Sequence, residues 1–580
     1  MSDIPRPEHP RPDLRRDDAW WLNLNGTWQF ETDRGVSGEA RGYPSGRELD
    51  REIVVPFCPE SRLSGVGDTD FHNSVWYRRF LDVPDRWDGR RVLLHVGACD
   101  YETTVWLNGR ELGRHTGGYT PITVELTDAL DGDGRDELVV RAVDDVRSGI
   151  PHGKQSERYH SYGCLYTRTT GIWQTVWVEA VPQTYVENIH VWPDLEGEAF
   201  SVVLHVHGAG RYDGQVTALA DGEAVGRAGF AGGGSGACRV RLALEEARAW
   251  CPADPFLYQI RVELEGEAGR DEVTTWGGLR SFRTDGRKFL LNGEPIFLRT
   301  VLDQGFYPDG IYTAPSADAL AADIDHSMAF GFNGARLHEK VFEPLFLHMC
   351  DRKGYLVFGE YADWQHRFND GDYVHAMADQ WREALLRDVS HPAIIGWCPL
   401  NESGGADRTR YGEWLTRHLY RITKALDPSR PALDTSGYQH FETDVWDTHD
   451  YEQDVEQFAA RYEPLARGAW AEFETGRRGM NYDGTSPFFH SEFGGIAWQA
   501  GDVPEKAWGY GQGPTTREEF LERFRGLVEA LLKNPGVAGF CYTQLTDVEQ
   551  EVNGLLTYDR RPKFDPAVIA SILQQEAAVE

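Results

Sequence analysis

Cysteine is scarce and scattered. The eight residues, Cys58, Cys99, Cys164, Cys238, Cys251, Cys350, Cys398 and Cys541, form no CxxC pair, so they read as reduced thiols used as small apolar residues. No run of 18 or more apolar residues occurs, and no membrane-spanning helix is expected. The opening stretch MSDIPRPEHPRPDLRRDDAW lacks the apolar core of a secretory signal, so a reducing cytoplasm is the expected location. Positive charge is in deficit: 59 Lys and Arg against 92 Asp and Glu leave a net charge of −33. Such a field repels phosphate backbones and anionic lipid, which argues against nucleic-acid and membrane partners. HExxH, GxSxG, GxGxxG and GxxxxGK[ST] are all missing, as is any Cys/His set with zinc spacing. No cofactor and no metal is therefore expected.

What is present divides the chain in three. At 580 residues it exceeds one ordinary domain. Its 41% hydrophobic and 26% charged content is that of a globular protein. Nineteen tryptophans, many outside segments that read as core, suit flat, partly apolar ligands such as sugar rings. In residues 1–183, short β-branched or aromatic runs (WYRRFLDV, RVLLHVG, TTVWLNG, ITVEL, ELVVRAV) are separated by turn signals such as Asn108-Gly109 and Asp131-Gly132. That density predicts a β sandwich or jelly roll. The polar, Gly-rich segment 148–172 reads as a long loop, of the kind that is mobile or functional. Residues 184–284 hold about the strand count of an immunoglobulin-like sandwich. There GFAGGGSGA (229–237) reads as a flexible hairpin connection.

From 285 to 580 strands alternate with amphipathic helices. PIFLRTV, NGARL, YLVFGE, AIIGWC, PALDT, DVWDTHD, FFHSE and GVAGFCYT are the strand candidates, and eight of them predict a (β/α)8 TIM barrel. PALDT and DVWDTHD carry the weakest patterns. Thr515 to Glu518 has capping-box spacing, and Gly331 and Gly354 stand where helices end.

Barrel sites form at the carboxyl ends of the strands. Asp303, Arg336, His338, Glu360, Trp364, Asn401, Glu402, His449, Tyr451, His490, Glu492, Gln544 and Asp547 all fall there. Acids, amides and aromatics gather with no basic cluster and no obvious nucleophilic Ser or Cys. Glu402 in NESGG and Glu492 in SEFGG lie on strands four and seven, across the mouth from each other. Two facing carboxyls suit acetal chemistry, one protonating the leaving oxygen while the other attacks or activates water. Each is followed by small residues that would let a ligand approach. The histidines could chelate a metal, but bonding to sugar hydroxyls or structural use fits better. Trp364 and Trp498 read equally well as stacking platforms and as rim packing.

With two sandwiches, a barrel and two acids, the chain resembles glycoside hydrolase family 2, which includes β-galactosidases, β-glucuronidases and β-mannosidases. NLNGTWQF (23–30), VWLNGRELGRHTGGYTP, AWCPADPFLYQIRVEL (249–264) and FLLNGEPIFLR (289–299) carry the resemblance along nearly the whole chain. It implies Glu402 as acid/base, Glu492 as nucleophile, Asn401 as ligand of the 2-hydroxyl and Tyr451 as the residue orienting the nucleophile. It also implies retention of configuration, hence carboxyl groups about 5 Å apart, where roughly 8 Å would contradict it. Glu402 is expected protonated in the free enzyme and Glu492 ionised.

Substrate residues depart from the family pattern. Thr300 to Gln304 and Arg336 to Glu339 differ from the common strand endings. Asp303, Arg336, His338, Trp364, His449 and Gln544 are the expected substrate ligands. The Asn-x-Lys loop by which the resemblance would read a uronic carboxylate falls at Glu551-Val552-Asn553, without lysine, so a glucuronidase is disfavoured. The expectation is a retaining, exo-acting, β-galactosidase-like hydrolase of a small glycoside, with segment 148–172 narrowing the site. The alternatives are a furanosidase (β-D-galactofuranosidase or α-L-arabinofuranosidase), a non-catalytic carbohydrate-binding protein and a metal-dependent hydrolase. A homo-oligomer is compatible with all of these.

Overall fold

The computed structural model describes residues 4–267, 269–365, 367–403, 412–470, 473, 482, 484–499 and 507–580. Two β sandwiches precede a parallel barrel. The first pairs a four-stranded with a six-stranded antiparallel sheet, closing on Trp28, Phe30, Tyr77, Leu94, Val105, Val140 and Val178. The strand Arg110–Thr116 escapes sequence patterning because it is an edge strand with no buried face. The second sandwich has sheets of three and four strands. Its strand Glu223–Gly233 runs through most of the expected hairpin connection, leaving only Gly234-Ser235 as the turn. Buried Arg16 ties the sandwiches together through Asp271 (2.9 Å) and Glu179 (3.0 Å).

The barrel sheet is parallel. In chain order its described strands are Leu298–Asp303, Gly334–Leu337, Leu356–Glu360, Ile394–Cys398, Trp446–Asp450, Phe488–Gly494 and Gly539–Thr543. All are buried on both faces, as a helix-covered parallel sheet requires. The expected fifth strand, PALDT, is reduced to two parallel bridges, Trp397 to Ala432 and Asn401 to Ser436. Pro431 removes a donor, and the Asp434 carboxylate accepts from the Phe441 and Glu442 amides (2.6 and 3.1 Å), favouring a turn. Helices Ala317–Ala329, Pro344–Lys353, Gly371–Asp388, Gly412–Leu426 and Arg517–Leu532 lie where amphipathic periodicity puts them. Val455–Ala466 and Pro566–Leu573 are further helices. The capping box is displaced by one residue. Thr516 caps the Glu519 amide (3.1 Å), while Glu519 reaches back to the Thr515 amide (2.8 Å).

Candidate active site

Arg336, at the end of the second barrel strand, is the hub of the mouth. It is 2% exposed. Its guanidinium donates to Glu360 Oε1 (2.5 Å), Glu492 Oε1 (3.0 Å), the Ser491 carbonyl (2.9 Å) and Asn401 Oδ1 (3.0 Å). A rigid five-donor fork can serve several strand ends at once, which an ammonium cannot. Tyr451, just past the sixth strand, donates to Glu492 Oε2. Burial raises the Glu492 carboxyl, but the charges of His449, His338 and Arg336 outweigh it and hold it below its ordinary range.

Glu402 follows the fourth strand with φ +50°, in the left-handed region. Its amide donates to the Ser436 carbonyl (2.7 Å), and its carboxylate accepts from Tyr438 (3.0 Å) and His449 Nδ1 (2.7 Å). The other ring nitrogen of His449 lies 3.4 Å from Glu492 Oε1 and 3.0 Å from Ser436 Oγ. The imidazole thus bridges the two acids, and one atom from each of Glu402, His449 and Glu492 lies within 4.8 Å of the other two. This is far short of the roughly 8 Å that would contradict attack by one carboxylate. The same trio has the donor types and spacing of a cation site. However, the Arg336 guanidinium on Glu492 opposes a second positive charge, and both His449 nitrogens already have partners.

The protonation pattern differs from the expected one. Burial pushes Glu402 up, yet the hydrogen bond and charge of His449 bring it down to about 2. Burial pulls His449 down, and the charges of Glu492 and Glu402 with the Glu402 hydrogen bond raise it. These opposed shifts favour the shared proton on His449 over Glu402. A cation between two carboxylates is favoured over a neutral acid facing an anion.

Several predicted ligands converge here and others do not. Arg336, Asn401, Glu402, His449, Tyr451 and Glu492 form one bonded cluster, with Glu360. His338 joins it through Glu360 (3.2 Å), and its buried Nε2 has no hydrogen-bond partner among the described residues. Trp364 lies beneath the ammonium of Lys154. Among the described residues, Asp303 and Gln544 hydrogen-bond to neither acid. The Asp303 carboxyl accepts the Gly305 amide (2.9 Å) and is pushed up to about 7 by burial and by the charge of Asp323, which lies on the first barrel helix. Gln544 belongs to a closed ring of hydrogen bonds. Gln304 donates to Gln544 (2.6 Å) and Tyr166 (2.8 Å), Gln544 to Asn553 (2.8 Å), Asn553 to Glu551 (2.9 Å), and Tyr166 to Glu551. His490 bonds Tyr462 (2.9 Å), Asp547 pairs with Lys563 (2.7 Å), and Trp498 packs on Phe564 (ring centroids 5.0 Å) as rim structure.

The glycines after Glu492 also serve another purpose than expected. Gly494 and Gly495 have φ of +78° and +56°, and a Cβ on either would meet Tyr542 or Tyr510 at 2.4 Å. They let tyrosine rings close around the nucleophile candidate and do not clear space for ligand. Gly404 and Gly405, after Glu402, lie outside the described residues.

Segment 148–172 is bonded to the barrel. The Gly153 amide donates to Ala362 (3.0 Å), Gln550 to the carbonyls of Gly163 (2.7 Å) and Leu165 (3.1 Å), and Gln365 to Gln155 (2.9 Å). It brings two residues the sequence reading passed over, Tyr166 and Lys154. Segment length was the only signal for them. Tyr438, also missed, follows the irregular fifth strand.

Residues 282–569 match the model described as glycosyl hydrolases family 2, TIM barrel domain. A β-glucuronidase of Paenibacillus borealis is 25% identical over 438 residues, covering 70% of this chain and 72% of that protein. A β-galactosidase of Thermoanaerobacter pseudethanolicus is 27% identical over 393 residues, which is 63% of this chain but only 49% of that protein, about half its length. Among solved structures, a β-glucuronidase from Ruminococcus gnavus in complex with D-glucaro 1,5-lactone superposes with a TM-score of 0.78 at 20% identity. That match covers 96% of this chain and 99% of the other. At that identity the likeness establishes the fold.

Proposed function

Because the chain belongs to glycoside hydrolase family 2, we propose that this glycosidase is retaining and exo-acting. In this reading it removes a terminal, uncharged sugar by β-galactosidase-like double displacement. Glu492 attacks the anomeric carbon, and the leaving oxygen takes the proton held by the Glu402–His449 pair. Once Glu492 is glycosylated its negative charge is gone, and Glu402 accepts a proton from the water that frees the sugar. Arg336 and Tyr451 keep Glu492 ionised and aimed. The observation that carries this reading is the pair of carboxylates from strands four and seven, bridged by His449 with the three groups within 4.8 Å. Segment 148–172, bonded across the mouth, supports exo action.

The names of the relatives favour a second reading, a uronide as substrate. Against it stands Glu551-Val552-Asn553, where the resemblance expects Asn-x-Lys: it holds no lysine, and the Glu551 carboxylate, held by Tyr166 and Asn553, would repel a uronate. Neither the furanosidase nor the non-catalytic reading draws support from the relatives named above. A panel of 4-nitrophenyl pyranosides with proton NMR of the first-formed product tests the proposal. The expected result is cleavage of the β-galactoside with the β-anomer released first. Release of the α-anomer, or turnover of the glucuronide alone, would overturn it.

A further inference from the structure

Lys154 belongs to the first sandwich yet stands in the barrel mouth. It is 7% exposed, and its Nζ lies 5.1 Å from the centroid of the Trp364 ring. Burial pulls its pKa down, but the charges of Cys164, Glu551, Glu492 and Glu339 outweigh this and keep it positive. Lys154 in turn lowers Glu402 and is itself raised by Glu492, so the ammonium is within electrostatic reach of both candidate acids. Among the described residues nothing accepts a hydrogen bond from it. A largely buried ammonium is stabilised by a bound ligand that offers it an acceptor.

The chain on both sides of Lys154 is pinned. Gly153, with φ +63°, sits so close to the barrel that a Cβ would meet the Glu339 carbonyl at 2.6 Å. The Lys154 carbonyl accepts the Tyr166 amide (2.8 Å). Gln155 donates to Asp100 (2.8 Å) and accepts from the Thr169 amide (2.7 Å). Sandwich and barrel together therefore fix the backbone that carries this side chain.

We infer that Lys154 is a glycone-reading residue supplied by the first sandwich, donating to a hydroxyl of the uncharged sugar held at Glu402 and Glu492. This rests on the reading above. An uncharged glycone fits better than a carboxylate because Glu551 and Glu492 share Lys154's field. A uronate drawn to Lys154 would also meet the Glu551 carboxylate, whereas a hydroxyl accepts from Lys154 with no net charge to repel.

The test is a cycle of enzyme and substrate variants. Lys154→Met should lower kcat/KM for 4-nitrophenyl β-galactoside roughly 10- to 100-fold, mostly through KM, as loss of a charged hydrogen bond to bound sugar does. Among the four monodeoxy galactosides, the penalty at one position should fall to near onefold in the variant while the other three persist. Lys154→Gln keeps a donor and runs the same cycle should the Met variant not fold. Equal penalties at every position in altered and unaltered enzyme would overturn the inference. Failure of the underlying functional reading appears separately, in the unaltered enzyme, as turnover of the glucuronide without the galactoside.

Discussion

The two acids are held by different kinds of structure. Glu492 sits inside its strand, where the pairing register shifts between His490 and Phe493, its side chain 6% exposed, with Arg336 on one oxygen and Tyr451 on the other. Glu402 stands beyond the end of its strand in a left-handed conformation, 15% exposed, held by His449 and by Tyr438 from the irregular stretch after Ala432. The contrast matches the two chemical tasks. A nucleophile needs a fixed charge and a fixed direction. An acid/base needs a proton that can come and go.

Removing the fixed charge should have the largest effect. Glu492→Ala is expected to lower kcat by on the order of 10^4 or more while thermal unfolding stays near that of the unaltered protein. Substantial residual turnover would break the assignment. Arg336→Met strikes the same side through stability. It leaves Glu360 and Glu492 buried without their cation, a cost of about 3–5 kcal/mol in denaturant unfolding. A loss below about 1 kcal/mol would show that Arg336 is not the hub its contacts describe.

On the other side, effects should depend on the substrate. Glu402→Ala should cost roughly 10^2–10^4 with poor leaving groups and little with activated aryl glycosides. Equal losses across leaving groups would contradict an acid role. The smallest effect is a shift in pH. His449 is raised above its ordinary 6.5, so the stability from its charge is fully present below 6.5 and lost as pH rises through the raised value. Glu402 is lowered to about 2, so its contribution is present above 4.5 and lost as pH falls toward 2. The basic limb of kcat/KM should therefore lie above 6.5. His449→Gln leaves Glu402 to hold the proton alone, and the limb should move to lower pH. An unmoved limb would mean that the proton does not reside on the pair.

The same contrast governs what could be read from the sequence. Glu492, Arg336 and His449 were legible because buried parallel strands are continuous apolar runs that end abruptly in polar residues. Tyr451 and Asn401 followed from the resemblance. Asp303 stands at an equally plausible strand end, but its carboxyl lies within reach of Asp323 on the first barrel helix, as a strand side chain does when it points to the outer face. Lys154 was illegible because it arrives from another part of the chain, close to Glu551 only after the first sandwich has docked on the barrel. The location of the proton was hidden for a related reason. It depends on three charges meeting in space, and no one motif carries all three.

The central claim is that Glu492 is the nucleophile. Incubation with 2,4-dinitrophenyl 2-deoxy-2-fluoro-β-galactoside, followed by intact-mass and peptide-level mass spectrometry, tests it most directly. The expected result is one fluoroglycosyl adduct per chain on Glu492, with turnover returning as the adduct hydrolyses. An adduct on Glu402 or on any other residue would contradict it.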